Sequence, residues 1–158
     1  MNMNKTLISL ALAGATAAPL LAQAQTQPLT LDVTLKEYRG KGAYLAIYLT
    51  DADGQYQKTL WVAGKKAKYY RHLRAWTRGG GAQRAEFDGL TGASVGSGDN
   101  LTVEVELEEA LLDAGYEIRI DSAVEDKRDN RAEVRLPLTR EPGEATGSGY
   151  VDSVSYRF

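Results

Sequence analysis

Polar and apolar residues alternate through most of this chain. In "LTLDVTL", Leu29, Leu31, Val33 and Leu35 face one way and Thr30, Asp32 and Thr34 the other. "LTVEVELE" sets Leu101, Val103, Val105 and Leu107 against Thr102, Glu104, Glu106 and Glu108. "GYEIRID" places Tyr116, Ile118 and Ile120 inward and Glu117, Arg119 and Asp121 outward. "RAEVRLPLT" repeats the pattern with Ala132, Val134, Leu136 and Leu138, and the end of the chain with Tyr150, Val154, Tyr156 and Phe158. A period of two is what a strand with one buried face produces. "AYLAIYLT" at 43–50 is apolar on both faces and predicts a central strand. "DADG" at 51–54 and "EDKRDN" at 125–130 carry turn chemistry. An EF-hand loop that began at Asp51 would need Glu at its twelfth position, where Val62 stands, so "DADG" is read as a turn. Roughly seven short strands separated by turns predict a mainly β fold, an antiparallel two-sheet sandwich.

One segment breaks the alternation. "GKKAKYYRHLRAWTRGGG" at 64–81 has helical spacing, with Tyr69, Tyr70, Leu73 and Trp76 on one face. It predicts one short amphipathic helix over about 65–78, ended by Gly79 to Gly81. Lys65, Lys66, Lys68, Arg71, Arg74 and Arg78 make it strongly basic, and it holds no acid. The expectation is a helix that caps the open end of the sandwich, aromatic side down. Its charged side, Lys68, Arg71, His72, Arg74 and Arg78, is then a candidate docking face for an anionic ligand or partner.

The N-terminus changes the picture of where this happens. "MNMNK" is followed by the uncharged "TLISLALAGATAAPLLAQA". A short apolar run ending in small residues predicts a secretory signal peptide over 1–24, cleaved after Ala24, and a single exported domain over 25–158. Gly14, Pro19 and Gln23 leave the run too short for a membrane span. The full chain has 19 basic and 21 acidic residues; loss of Lys5 leaves 18 against 21, a net charge of −3. An exported, net-acidic protein argues against nucleic acid as a partner. There is no Cys and only one His, His72. That excludes thiol nucleophiles, iron–sulfur clusters, Cys-ligated zinc and a bis-His haem within one chain. Stability must come from packing, because no disulfide can form.

The remaining unusual stretch is "DGLTGASVGSG" at 88–98. Asp-Gly signals a turn, but nothing in turn chemistry requires the nine residues after it. "FDGLTGAS" resembles the acceptor motif for covalent FMN, in which an Asp precedes a Ser/Thr-Gly-Ala-Thr run. Asp88, Thr91, Gly92, Ala93 and Ser94 match position by position, with Ser94 where Thr is usual. The mature chain also resembles an exported family catalogued as domain of unknown function 2271. That resemblance rests on "LWVAGKKAKYYRHLRAWTR", "DGLTGAS" and "LLDAGYEIRIDSAVEDKRDNRAEVRLPL". The last of these looks like an immunoglobulin-like flagellar-cap module.

The resemblance implies an immunoglobulin-like sandwich in the periplasm and FMN attached to Ser94 by a flavin transferase. It also implies electron exchange with a membrane redox protein bearing a PepSY-type domain. Gly92 and Ala93 would let the backbone enter the transferase, Gly96 and Gly98 would leave the far side mobile, and Asp88 would orient the loop or help hold a metal there. Trp61, Tyr69, Tyr70 and Trp76 are candidates to stack on the isoalloxazine.

Two classes of function are then open: a covalent flavoprotein for electron transfer, or a cofactor-free binding module that uses the basic aromatic helix. A Ser94–His72–acid hydrolase is disfavoured, since "TGASVG" is not the Gly-x-Ser-x-Gly elbow.

Overall fold

The structure, a computed structural model, describes residues 23–158. Most of the expected signal peptide therefore lies outside the described residues. Among the described residues, nine strands form two sheets. In chain order they are β1 (Thr26–Leu35), β2 (Tyr44–Thr50), β3 (Tyr56–Ala63), β4 (Thr91–Gly92), β5 (Asn100–Glu108), β6 (Glu117–Ala123), β7 (Asn130–Pro137), β8 (Gly143–Thr146) and β9 (Val151–Arg157). One sheet has the order β5-β1-β9-β8 and the other β4-β3-β2-β6-β7. Pairing is antiparallel except between β3 and β4, which run parallel through Val62–Thr91 and Ala63–Gly92. The fold is mainly β and forms a sandwich, as the alternation predicts.

The inward sets meet between the sheets. Leu29, Leu31, Val33 and Leu35 pack with Val103, Leu107, Ile118, Ile120, Val134, Leu136, Val154 and Tyr156. Strand β2 is central and buried on both faces, as its continuous apolar run requires. Six members of the expected inward rows differ: Leu101, Val105, Tyr116, Ala132 and Tyr150 are only partly buried, and Phe158 is exposed. Leu101 and Val105 lie on the edge strand β5, Tyr116, Ala132 and Tyr150 at or near strand ends, and Phe158 at the end of the chain. Two strands leave no mark in the alternation: β4 is only two residues long, and β8, "GEAT", has no apolar period.

The basic segment does not form one helix. A 3-10 helix spans Ala67–His72, and a separate α-helix, α1, spans Arg74–Gly79. A one-turn helix, α2, follows at Arg84–Phe87. The break has a physical cause. Asp121 on β6 accepts hydrogen bonds from the backbone N–H of Ala75 at 2.7 Å and Trp76 at 2.9 Å. These are among the first N–H groups of α1, which lack an intrahelical partner. The carboxylate takes them and a new helix starts there. Nor do the helices cap an open end of the sandwich. They cover the outer face of the five-stranded sheet, where Tyr70, Leu73 and Trp76 pack on Ala46, Tyr48, Val62 and Ala123 in a second core.

Asp121 is fully buried, although strand alternation points it outward. It also accepts from Tyr48 Oη at 3.0 Å and from Ala132 N at 2.7 Å. Burial, with the Asp121 charge next, pushes the Tyr48 phenol well above its ordinary range, which keeps it a donor. Ala132 adopts φ +41°, and a register shift lies opposite, between Ile120 and Ser122. That irregularity breaks the alternation on β7 and buries both Glu133 and Val134. Glu133 then accepts from the Ser122 hydroxyl and from the backbone N–H of Gly149, Tyr150 and Val151.

Candidate functional site

The "DGLTGASVGSG" segment crosses from one sheet to the other, and both its sides are tied down. On the first side, β4 adds to the edge of β3: Val62 N donates to Leu90 O at 2.8 Å and Gly64 N to Gly92 O at 2.9 Å. On the second side, Val95 is buried and exchanges two backbone hydrogen bonds with Ala43, at 2.7 and 3.0 Å. Beyond it, Gly98 N donates to Lys36 O, Leu35 N to Asp99 O, and Tyr38 N to Ser97 Oγ. The expectation that Gly96 and Gly98 leave this side mobile is therefore corrected: the segment is stitched to the end of β1. Only Ala93 and Ser94 stand between the two anchors, and both are exposed.

Two close approaches shape this ridge. Trp61 on β3 lies directly beneath Gly92, where an added Cβ would come within 2.7 Å of the indole. Only Gly fits there. Across from Ser94 stands Gly42, where a Cβ would meet Ser94 Oγ at 2.6 Å. Small residues on both flanks thus leave room for the Ser94 hydroxyl. Thr91 and Asp88 are exposed, and the Asp88 carboxylate makes no hydrogen bond among the described residues. It is free to meet another molecule.

Ser94 lines a cleft of about 530 Å³. Three loops supply the other walls: Lys41, Gly42 and Tyr44; Lys66, Tyr69, Arg71 and His72; and the turn from Ala123 to Lys127. Tyr44 and Tyr69 meet edge to face, with ring centres 5.6 Å apart. Lys68 Nζ sits 4.9 Å from the centre of the Tyr69 ring. Lys41 pairs with Glu125 at 2.7 Å. The hydrogen bond that Lys41 donates to Glu125 holds the ammonium above its ordinary value and the Glu125 carboxyl below its own.

The structure sorts the expected site residues into groups. Ser94, Tyr69, Arg71 and His72 come together in the cleft. Trp76 and Tyr70 do not reach it. Trp76 is fully buried, with its Nε1 donating to Thr59 Oγ1 at 2.9 Å and Gly81 packed on its indole. Tyr70 is 4% exposed, its hydroxyl donating to Gly64 O at 2.7 Å. Neither ring has a free face, so both stacking assignments are corrected: helical spacing here marks core. Trp61 is half-buried, packs against the main core and forms the floor of the ridge rather than a stacking platform. Its Nε1 is buried without a hydrogen-bond partner.

The basic residues also divide. Arg74 Nε and His72 Nδ1 both bind Asp129, at 3.0 and 3.2 Å, so Arg74 is committed within the fold. Arg78 is exposed on α1, and Lys68 leans on Tyr69. The hydrolase geometry is not assembled. His72 Nε2 faces Arg71 Nε at 3.5 Å, and no hydrogen bond joins it to Ser94. Sequence reasoning missed Lys41, Tyr44 and Lys127, which reach the cleft from loops remote in the chain. It also missed Asp121 as the anchor of the helical layer.

No group of His, Asp or Glu among the described residues is arranged to hold a metal ion. No helix among them is long and apolar enough to cross a membrane. No curated protein and no solved structure matches the chain. A family model does match, over residues 26–153, and the chain accordingly belongs to the periplasmic family described as "Predicted periplasmic protein (DUF2271)".

Proposed function

We propose that this protein carries FMN covalently on Ser94 and relays electrons in the periplasm, as an electron-transfer component rather than a stand-alone enzyme. The observation that supports this most is the ridge itself. The hydroxyl that matches the acceptor position of the FMN motif is exposed, pinned on both sides, and set in a gap that a Cβ at Gly42 would fill. A nucleophile that must enter another enzyme needs this kind of presentation. The Ser94 oxygen would attack the FMN-side phosphorus of FAD. Its new bond to phosphorus forms as the phosphorus–oxygen bond to AMP breaks. The hydroxyl proton passes to a base of the transferase, and AMP departs.

Asp88, six residues before the acceptor and uncommitted, would meet the transferase or a metal ion beside the diphosphate. Once attached, the flavin supplies the electron-transfer chemistry, and the chain supplies placement and charge. A flavin transferase and a membrane redox protein with a PepSY-type domain are the partners this reading requires.

The test is co-expression with an active periplasmic flavin transferase. The wild type should gain the mass of one FMN residue and a yellow band that survives denaturation. Ser94→Ala should gain neither, and Ser94→Thr should keep both. A wild type that stays colourless beside a transferase active on its own substrate overturns the proposal. Lys66 and Arg71 in the cleft support a second reading, a cofactor-free module that docks an anionic ligand, and that reading would then take first place.

A further inference from the structure

The cleft beside Ser94 holds more positive charge than the fold uses. Four cations line it, Lys41, Lys66, Arg71 and Lys127, against two carboxylates, Glu125 and Asp126. Lys41 and Glu125 neutralise each other. Among the described residues, Lys66, Arg71 and Lys127 form no ion pair, which leaves three uncommitted cations facing one acid, Asp126. Like charges gathered around a concave surface repel one another and focus a field on whatever enters. The same walls present two aromatic rings, Tyr44 and Tyr69. A volume of about 530 Å³ is in the range of small-molecule sites, ~300–1,000 Å³. A planar aromatic ring system bearing a phosphate satisfies all three features at once.

We propose that this cleft is a binding site for the flavin mononucleotide itself, with Tyr44 and Tyr69 against the ring system and Lys66, Arg71 and Lys127 around its phosphate and polar edge. The choice of FMN over other aromatic phosphates rests on the proposed function of Ser94. The site does not depend on the covalent bond, and it holds the cofactor in place rather than leaving it on a loose tether. Because Ser94 is part of the cleft wall, a ring attached there need travel no further than the cleft. A short tether supplies an effective concentration of about 1 mM. An intrinsic Kd of about 0.1 mM would then keep the tethered ring docked roughly nine-tenths of the time. The cleft therefore needs only modest affinity, and that affinity is measurable without any transferase.

The experiment titrates unmodified mature protein, up to about 1 mM, into dilute FMN at low salt and follows the polarisation of flavin fluorescence. A saturable rise is expected, with half-saturation at about 0.1 mM or below. Lys66→Gln/Arg71→Gln should weaken it at least about fivefold, and added salt should do the same, since exposed charge pairs are screened. Both side chains are solvent-facing, so that variant keeps its thermal midpoint. Tyr69→Ala should weaken binding of FMN and of riboflavin alike, whereas the cation variant should affect FMN more. No saturable rise, or a rise that both variants leave unchanged, overturns the site. An adduct that forms on Ser94 without FMN binding to the unmodified protein defeats this inference and leaves the covalent proposal standing. Binding without an adduct does the reverse.

Discussion

The two sheets share one core but treat their outer faces differently. On the four-stranded sheet, Thr30, Asp32 and Thr34 of β1 and Thr102, Glu104, Glu106 and Glu108 of β5 point away from the core, and no helix among the described residues covers them. On the five-stranded sheet, Ala46, Tyr48, Val62 and Ala123 occupy the equivalent face, and the helical layer buries them. The difference lies in what a strand can state about itself. A row of Thr and Glu can face water, whereas a strand apolar on both sides requires a cover. The cover then does something the bare face cannot. Its loops, together with those at 41–44 and 123–127, build a cleft at the margin of the sandwich.

If the covered face is a second core, Trp76→Ala should cost about 3–5 kcal/mol in chemical denaturation, against about 1 kcal/mol for Val105→Ala on the partly buried edge strand. Equal costs would break the distinction. Next in size, Asp121→Ala removes the acceptor for four buried or half-buried donors and should cost about 3 kcal/mol, with loss of helical signal. On the bare sheet, Asp32→Ala should cost under about 1 kcal/mol, because its partners Thr102 and Arg157 remain solvated.

At the margin between the faces, Gly42→Ala should slow FMN attachment on the order of 10–100-fold without unfolding the domain, since the new methyl displaces Ser94 Oγ. The comparison of adduct yield with thermal midpoint decides that point. The smallest effect concerns acid. The Thr102 hydroxyl, then Arg157, hold the Asp32 carboxyl below its ordinary 3.8. A depressed folded-state pKa stabilises above the unfolded value, and the contribution is lost as pH falls through the folded one. Asp32→Asn should therefore lower the denaturation midpoint slightly near neutrality and converge with the wild type as the pH falls below about 4.

Strands β1, β5 and β9 of the bare sheet were legible, because exposure to water on one side is written into the period of two, whereas β8, "GEAT", was not. The central strand was legible for the opposite reason. The helical layer was legible only in part. The rows Tyr70, Leu73 and Trp76 marked a buried face, but the break at Leu73 comes from Asp121, a carboxylate 45 residues or more away in the chain from the N–H groups it takes. Local spacing carries no trace of such a partner. Glu133 escaped in the same way, since the positive φ of Ala132 inverts the alternation just before it. The acceptor run was visible as a string of residues. The cleft was not, because Lys41, Tyr44 and Lys127 are brought to Ser94 by strand pairing alone.

The stitching of the 88–98 segment has a consequence for the order of events in the protein's life. The anchors that flank Ser94, β4 on β3 and Val95 on Ala43 at the start of β2, both lie on the five-stranded sheet and join residues remote in the chain, so the Ser94 ridge exists only after that sheet has formed. Any enzyme that modifies Ser94 in this geometry meets a formed sheet and not an extended chain. Loading would then be a late maturation step, separable from export and folding, and a stock of empty domains could be charged on demand.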